Sequence, residues 1–398
     1  MKLSNAVAGM SCLVMGMTLV AAGVTAIADE SPWTPRGRAP LVVGHRGASG
    51  FLPEHTLAAY ELAILQGADY IEPDLVSTKD GVLVARHEVN ITDTTDVSSR
   101  PEFAARRTTK TIDGAMETGW FPDDFTLAEI KTLRAVQRLA FRPQQFNGLY
   151  DIPTLHEVIT LAKRWTLKTG RTIGVYPETK HPTYHQKAGL PLEERLVRTL
   201  ASHGWNRHGA PVFIQSFEVA NLKQLNRMTH VRLVQLVDAL DVALDGTVLP
   251  YRPYDFVVSG DPRTYADLVT PSGLAEIASY ADGVGPWKRY IVSVAGVDSD
   301  GNGEADDVNG DGAVNDADKR RLAPSSLIED AHGAGLLVHT WTFRNETRYL
   351  SSDYGDNPVE EYLQFYCLGI DGLFSDFPDT AVSARHLLRF AARPCTAR

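Results

Sequence analysis

The sequence predicts an α/β protein: a (β/α)8 TIM barrel with an insertion after its third strand and a late, acidic calcium-loop insertion. Three observations lead there. From residue 41 onward short apolar runs alternate with helical patterns, as parallel βα units require. About eight such runs fall within residues 41–385, the number a closed barrel needs. Polar side chains capable of chemistry stand at the C-terminal ends of those runs, where barrels carry their sites. A doubly wound open sheet is the competing fold, but no G-x-G-x-x-G turn follows the first run.

In chain order, the first feature is a leader. Lys2 supplies a positive end, residues 7–27 are almost all apolar or small, and Ala26-Ile27-Ala28 offers a small-x-small cleavage pattern. Residues 1–28 are therefore read as a signal peptide. The mature protein is expected to be secreted or periplasmic, without stable membrane insertion; an uncleaved anchor is the alternative. LVVGHRG (41–47) reads as the first strand, followed by a helix (55–67) and the strands YIEPDLVST (70–78) and VLVARHE (82–88). Residues 89–150 are rich in Thr, Arg and Asp, hold one predicted helix (126–138), and are too long for an ordinary βα loop. The alternation resumes with a helix (154–169), a strand (172–180), a helix (191–203), a strand (212–217), a helix (218–229) and a strand (231–238). A helix (324–334) and strands at 336–343 and 371–378 complete it, after the acidic tract DSDGNGEADDVNGDGAVNDAD at 298–318.

Composition narrows the function. In 398 residues, 43% are hydrophobic and 22% charged, which suits a globular protein with a full core. The balance of 39 basic and 49 acidic residues gives a net charge of −10, which disfavours nucleic acid as a partner. After cleavage only Cys367 and Cys395 remain; they allow one disulfide, and two separate thiols are the alternative. No G-x-S-x-G elbow and no G-x-x-x-x-G-K-[ST] loop is present, which disfavours serine-nucleophile and nucleotide chemistry.

The strand ends carry His45 and Arg46, Glu72 and Asp74, His87 and Glu88, Glu178 and Lys180, Gln215 and Ser216, His339, Trp341 and Arg344, and Asp376. The period-2 rule puts Glu72 and Asp74 on one face of one strand. Two bare carboxylates are costly there, and a bound cation removes their repulsion, with Glu178 able to complete three oxygen ligands. Hard oxygens select Ca²⁺ or Mg²⁺. Two histidines beside such an ion suit phosphoester hydrolysis, one taking a proton and the other giving one, while an arginine neutralises phosphate oxygens.

The ordered set His45-Arg46-Gly47, Pro53-Glu54, Glu72-Pro73-Asp74, His87, Ile152-Pro153-Thr154-Leu155, Glu178-Thr179-Lys180 and Ser375-Asp376-Phe377-Pro378 resembles the glycerophosphodiester phosphodiesterase family over residues 41–385. The resemblance implies a barrel with an insertion after its third strand, and a divalent cation, commonly Ca²⁺ in exported members, on Glu72, Asp74 and Glu178. It also implies His45 and His87 as the acid/base pair, and Arg46 and Lys180 as phosphate contacts. Trp341 matches an aromatic near the glycerol end of a small glycerophosphodiester substrate. Two positions depart from the family's usual pattern: His55 stands where Asn follows Pro-Glu, and Glu88 where Asp often follows the second histidine. The expected reaction yields glycerol 3-phosphate and an alcohol, through a cyclic phosphate or by direct attack of water. A phospholipase D- or C-like activity on intact lipids and a non-catalytic calcium-dependent surface-binding module are the rival readings.

The acidic tract predicts an additional, structural Ca²⁺. Asp307, Asn309, Asp311 and Asp318 fall at positions 1, 3, 5 and 12 of an EF-hand-like loop, with Gly312 at 6 and Asp in place of the final Glu. This variant resembles dockerin-type loops. Asp298, Asp300 and Asn302 begin a similar pattern whose twelfth position, Asn309, already belongs to the second loop, so a partial, shared-ligand site is expected there. A flexible acidic linker is the alternative.

Overall fold

The structure, a computed structural model, describes residues 39–390 and Cys395; the predicted signal peptide lies outside them. Strand β1 (Leu41–His45) pairs with β2, which runs as Tyr70–Glu72 and, beyond Pro73, as Asp74–Ser77. Strand β3 is divided in the same way, Gly174–Val175 and Glu178–Thr179, around Tyr176-Pro177. Proline has no N–H to give a ladder, yet the register carries through both breaks: Tyr70 faces Gly174, Ile71 faces Val175, Asp74 faces Glu178 and Leu75 faces Thr179. Strands β4 (Phe213–Ser216), β5 (Arg232–Val237), β6 (Gly283–Pro286), β7 (Leu337–Phe343) and β8 (Gly372–Ser375) follow, each parallel to its neighbours. Strand β8 also pairs with β1, so the fold is TIM-barrel-like.

One expected strand leaves the ring and one unexpected strand joins it. Leu83–Ala85, read as the third barrel strand, pairs antiparallel with Asp74–Ser77 as a terminal strand of the sheet. Only a short turn through Gly81 (φ +80°) separates the two, whereas a parallel partner needs a crossover of a dozen or more residues. The strand that brings the ring to eight is instead β6, Gly283–Pro286, a Gly-Val-Gly-Pro stretch without an apolar run. Its glycines are required by packing, since a Cβ at Gly285 would stand 2.7 Å from Leu236 Cδ2. The long segment therefore follows the second barrel strand.

Helices cover the outer face. In Leu155–Thr169 a capping box joins Thr154 and Glu157, and Gly170 ends the helix in the left-handed region that suits glycine. Its Leu155, Val158, Ile159, Ala162 and Trp165 are buried against the sheet. Inside the ring, Val43, Tyr70, Tyr176, Phe213, Val234 and Phe374 form a separate apolar layer, with Tyr176 stacked on Phe213 at 5.0 Å. His339 belongs to this layer, level with the first residue of β8, and its Nδ1 meets Tyr176 Oη at 2.8 Å. It is thus a core residue at the inlet side, not a member of a strand-end site.

Residues 89–150 build a small core of their own, in which Val89, Ile91, Val97, Phe103, Trp120, Phe121 and Phe125 are buried. The helix expected at 126–138 is limited to Leu127–Ile130. Beyond it the backbone is extended, and Ala135 and Arg134 bridge Thr95 and Asp151. A hairpin of Thr108–Ile112 and Ala115–Gly119 turns at Asp113-Gly114, both with positive φ. Cys367 and Cys395 form a disulfide, with Cα atoms 5.2 Å apart. No helix among the described residues is long and apolar enough to cross a membrane.

Candidate active site

Strand register assembles the site. His45 is level with Glu72, Asp74 with Glu178, and Glu178 with Gln215, so four adjacent strands bring these side chains to one mouth of the ring. His45, Glu72, Glu178 and Gln215 line a cavity of about 580 Å³ together with Arg46, His87, Lys180 and Trp341.

Glu72, Asp74 and Glu178 are all buried, and one ligand oxygen from each lies within 4.8 Å of the others. Among the described residues no other His, Cys, Asp or Glu side chains form such a group of three. Glu72 accepts from the Arg46 backbone N–H at 2.7 Å and from Gln215 Nε2 at 3.2 Å. Asp74 Oδ2 meets His55 Nε2 at 2.9 Å, while its Oδ1 is buried without a hydrogen-bond partner. Burial, aided by the neighbouring carboxylates, pushes Glu72 well above the usual carboxylate range. Burial also raises Glu178 to about 8, against the pull of Lys180 Nζ at 2.8 Å. It acts on Asp74 too, but Lys180, His55 and Arg46 outweigh it and hold that carboxyl low. Three converging carboxylates in frustrated ionisation, one with an orphaned oxygen, fit a hard divalent cation.

His45 and His87 flank this group. His45 Nδ1 donates to Asp376 Oδ1 at 2.5 Å, which leaves Nε2 as the ring's other reactive nitrogen. Asp376 in turn receives Arg142 Nη2 at 2.6 Å and Arg344 Nε at 3.0 Å. Burial lowers His45 to about 4, helped by Arg46 and opposed by Asp376. Burial, then Arg46 and Lys180, lower His87 to about 3. Both rings are therefore neutral at pH 7. His87 Nδ1 lies 2.6 Å from Glu88 Oε1, and Glu88 Oε2 lies 3.0 Å from His181 Nε2. His181 Nδ1 continues the chain to Asp113 Oδ2 at 2.7 Å.

The cationic side chains are held in place. Arg46, in the left-handed region at φ +57°, reaches Glu54 at 3.3 Å, and Glu54 also holds Arg138 at 3.2 Å. Lys180 Nζ stands 5.5 Å from the centre of the Phe217 ring. Trp341 donates its Nε1–H to the Gly285 carbonyl and meets Phe217 edge-on at 5.7 Å. His55, at the position of the family's usual Asn, is fully buried between Asp74 and Tyr60 Oη and so keeps a supporting role.

The remaining predicted residues lie elsewhere. In the acidic tract Asp298 accepts from the backbone of Gly301, Asn302 and Gly303, and Asp307 likewise from Gly310, Asp311 and Gly312. Asp318 accepts from Val308 and Asn309; Asp300, Asn302, Asn309 and Asp311 cap amides two residues onward. Arg142, His181 and Asp113 were not singled out from sequence. Arg142 lies in an irregular stretch, Asp113 at a hairpin turn that its Asp-Gly pair could have signalled, and His181 between a strand and a short helix; nothing in their spacing shows that they reach the site.

Comparison with known proteins identifies the family. Residues 45–380 match the model of the glycerophosphoryl diester phosphodiesterase family. The chain is 36% identical to the glycerophosphodiester phosphodiesterase GDPD6 of Arabidopsis thaliana, over 85% of this chain and 84% of that protein. It is 27% identical to the glycerophosphodiester phosphodiesterase of Haemophilus influenzae, over 94% and 98%. In fold it is similar to a phosphodiesterase of Oleispira antarctica solved with sn-glycerol-3-phosphate, with a TM-score of 0.53 at 20% identity, over 87% of this chain and 96% of that one. The chain belongs to the glycerophosphoryl diester phosphodiesterase family and is an enzyme of that class.

Proposed function

We propose that the protein hydrolyses glycerophosphodiesters to glycerol 3-phosphate and an alcohol, using His45 and His87 as proton carriers and a divalent cation held by Glu72, Asp74 and Glu178. The observation that carries the reading is the placement of both imidazoles and both cations, Arg46 and Lys180, around one buried carboxylate triad in a single cavity. When bound, the ion, Ca²⁺ by preference and Mg²⁺ as the alternative, supplies Lewis-acid stabilisation of phosphate charge. Arg46 and Lys180 add fixed positive charge, and their ion pairs with Glu54 and Glu178 keep them from swinging away. One histidine takes the proton of the attacking hydroxyl, from the glycerol or from water. The other returns a proton to the leaving oxygen. The bound phosphodiester offsets the positive charge of Arg46 and Lys180, so one ring can take up the proton that burial beside these cations opposes. Trp341 and Phe217 offer an apolar wall for the glycerol carbons.

The leader and the acidic tract extend the proposal: the protein works outside the cytoplasm, and a structural Ca²⁺ orders residues 298–318. Calcium titration of the whole protein tests the second point; binding limited to one ion would leave the tract a linker.

The deciding experiment for the activity is product analysis on glycerophosphocholine, with and without a chelator. Glycerol 3-phosphate is expected, and its formation should stop in chelator and resume with added Ca²⁺. Absence of that product under every metal condition would overturn the reading.

A further inference from the structure

His87 and Glu88 are neighbours in sequence, on a bend just after Leu83–Ala85, yet their side chains meet at 2.6 Å. The side chain of Glu88 is 42% exposed, and fixing such a glutamate costs rotamer entropy. His181 opposes that cost by gripping the second carboxylate oxygen at 3.0 Å.

His181 is itself held from the other side. Its Nδ1 reaches Asp113, at the tip of the hairpin Thr108–Ile112 and Ala115–Gly119, at 2.7 Å. The Asp113-Gly114 pair with positive φ at both positions is the turn that hairpins of two-residue loops favour, so the tip is a rigid mount. His181 sits at φ +45° immediately before Pro182, a conformation that costs a non-glycine residue energy and persists only where surroundings enforce it. With two carboxylates on its two nitrogens, the ring is a doubly anchored cation. The other titratable groups near the assembly are Lys180 and Arg46 on the His87 side, His185 beside the ring, which burial keeps neutral, and Glu218 beyond Asp113.

We propose that His181 is a positioning residue for the phosphodiester reaction: anchored by Asp113, it clamps Glu88 so that Glu88 fixes the orientation of His87. This rests on the reading that His87 carries a proton in catalysis. It also gives Glu88, the departure from Asp, a physical reason: the longer side chain spans both histidines.

The test is a double-mutant cycle on glycerophosphocholine hydrolysis in the Ca²⁺-loaded full chain. His181→Ala should lower kcat about tenfold with KM within twofold, a coupling in the range measured for contacting residues. It should also shift the limb of the pH–kcat/KM profile that His87→Ala removes. In a His87→Ala background the same change should have no further effect. A merely structural role would lower activity by the same factor in both backgrounds, and that result overturns the proposal. Asp113→Asn, at a hairpin tip, should repeat the effect more weakly and serves if His181→Ala does not fold. If His87→Ala alone retains near-normal activity, the reading of His87 fails first and takes the clamp with it. If His87→Ala is inactive but the cycle is additive, only the clamp fails.

Discussion

Arg142 Nη2 lies 2.6 Å from Asp376 Oδ2, across 234 residues of sequence, and the other oxygen of the same carboxylate holds His45. A side chain from the long segment after the second barrel strand thus acts on the last strand's aspartate, and through it on a candidate catalytic imidazole. Asp376→Asn keeps the shape but removes the charge that holds Nδ1–H. A kcat loss on the order of 10²–10⁴ is expected by analogy with the carboxylate of a Ser-His-Asp triad. Arg142→Ala should cost less, because Arg344 still contacts Asp376 at 3.0 Å. Steady-state kinetics of both variants check the order; equal losses would mean that the loop, not the carboxylate, is what matters.

The two histidines give the sharpest kinetic expectation. His45→Ala and His87→Ala should each lower kcat by roughly 10²–10⁴. Their melting temperatures should stay near that of the parent, since strand-end side chains serve the site more than the core. Activity within a few-fold of the parent would remove that residue from the mechanism.

Glu72→Gln, Asp74→Asn and Glu178→Gln should each weaken metal affinity and activity together, as read by calorimetric titration and turnover. Chelation should also lower the melting temperature of the parent, because an ion bound at about a hundred times its Kd contributes about 2.7 kcal/mol to the folded state. An unchanged melting curve in chelator would argue that the triad is not a cation site.

His181 supplies a pH signature in stability. Its two carboxylate partners outweigh burial and raise it to about 10, from 6.5 when unfolded. The folded state holds the proton more tightly, so this stabilisation is complete below pH 6.5 and fades as pH climbs through about 10. Melting temperatures of the parent and of His181→Gln should differ most below pH 6.5 and converge toward pH 10. A gap that stays constant over that range would contradict a charged His181.

Tyr176→Phe tests the opposite kind of residue. It removes the hydroxyl that meets His339 Nδ1 in the apolar layer, where His339 Nε2 already has no partner. The cost should be about 1–3 kcal/mol in denaturant unfolding, the usual penalty for an unsatisfied buried group. Turnover should be little changed, and a large loss of kcat would return His339 to the site.

Much of the ring was legible in the sequence because seven of its strands carry apolar runs with distinctive ends. Gly283–Pro286 escaped because its two glycines are dictated by close approach of Leu236 and Leu337, a tertiary demand with no local signature. Leu83–Ala85 misled because its apolar pattern is genuine but its partner lies one turn away. The site was legible where residues sit on strands: the period of two placed Glu72 with Asp74, and register then placed Glu178 beside them. Asp376 could be seen as a strand end, but not as the partner of His45. Arg142 and Asp113 belong to a segment with a small core of Phe and Trp side chains, and no spacing in the sequence announces where such a core delivers its charges; His181 stands between a barrel strand and a short helix.

The long segment reaches both flanks of the cavity, through Arg142 on one side and Asp113 on the other, and this restricts how such enzymes can be recombined. A chimaera that keeps these eight strands but carries a relative's segment would keep the direct partners of both imidazoles and lose their outer anchors, Arg142 and Asp113. Exchange in the other direction would deliver two charged side chains with nothing to hold. Strands and segment are therefore best inherited together, and a library that shuffles them at residues 89 and 150 should return mostly folded hybrids with reduced turnover.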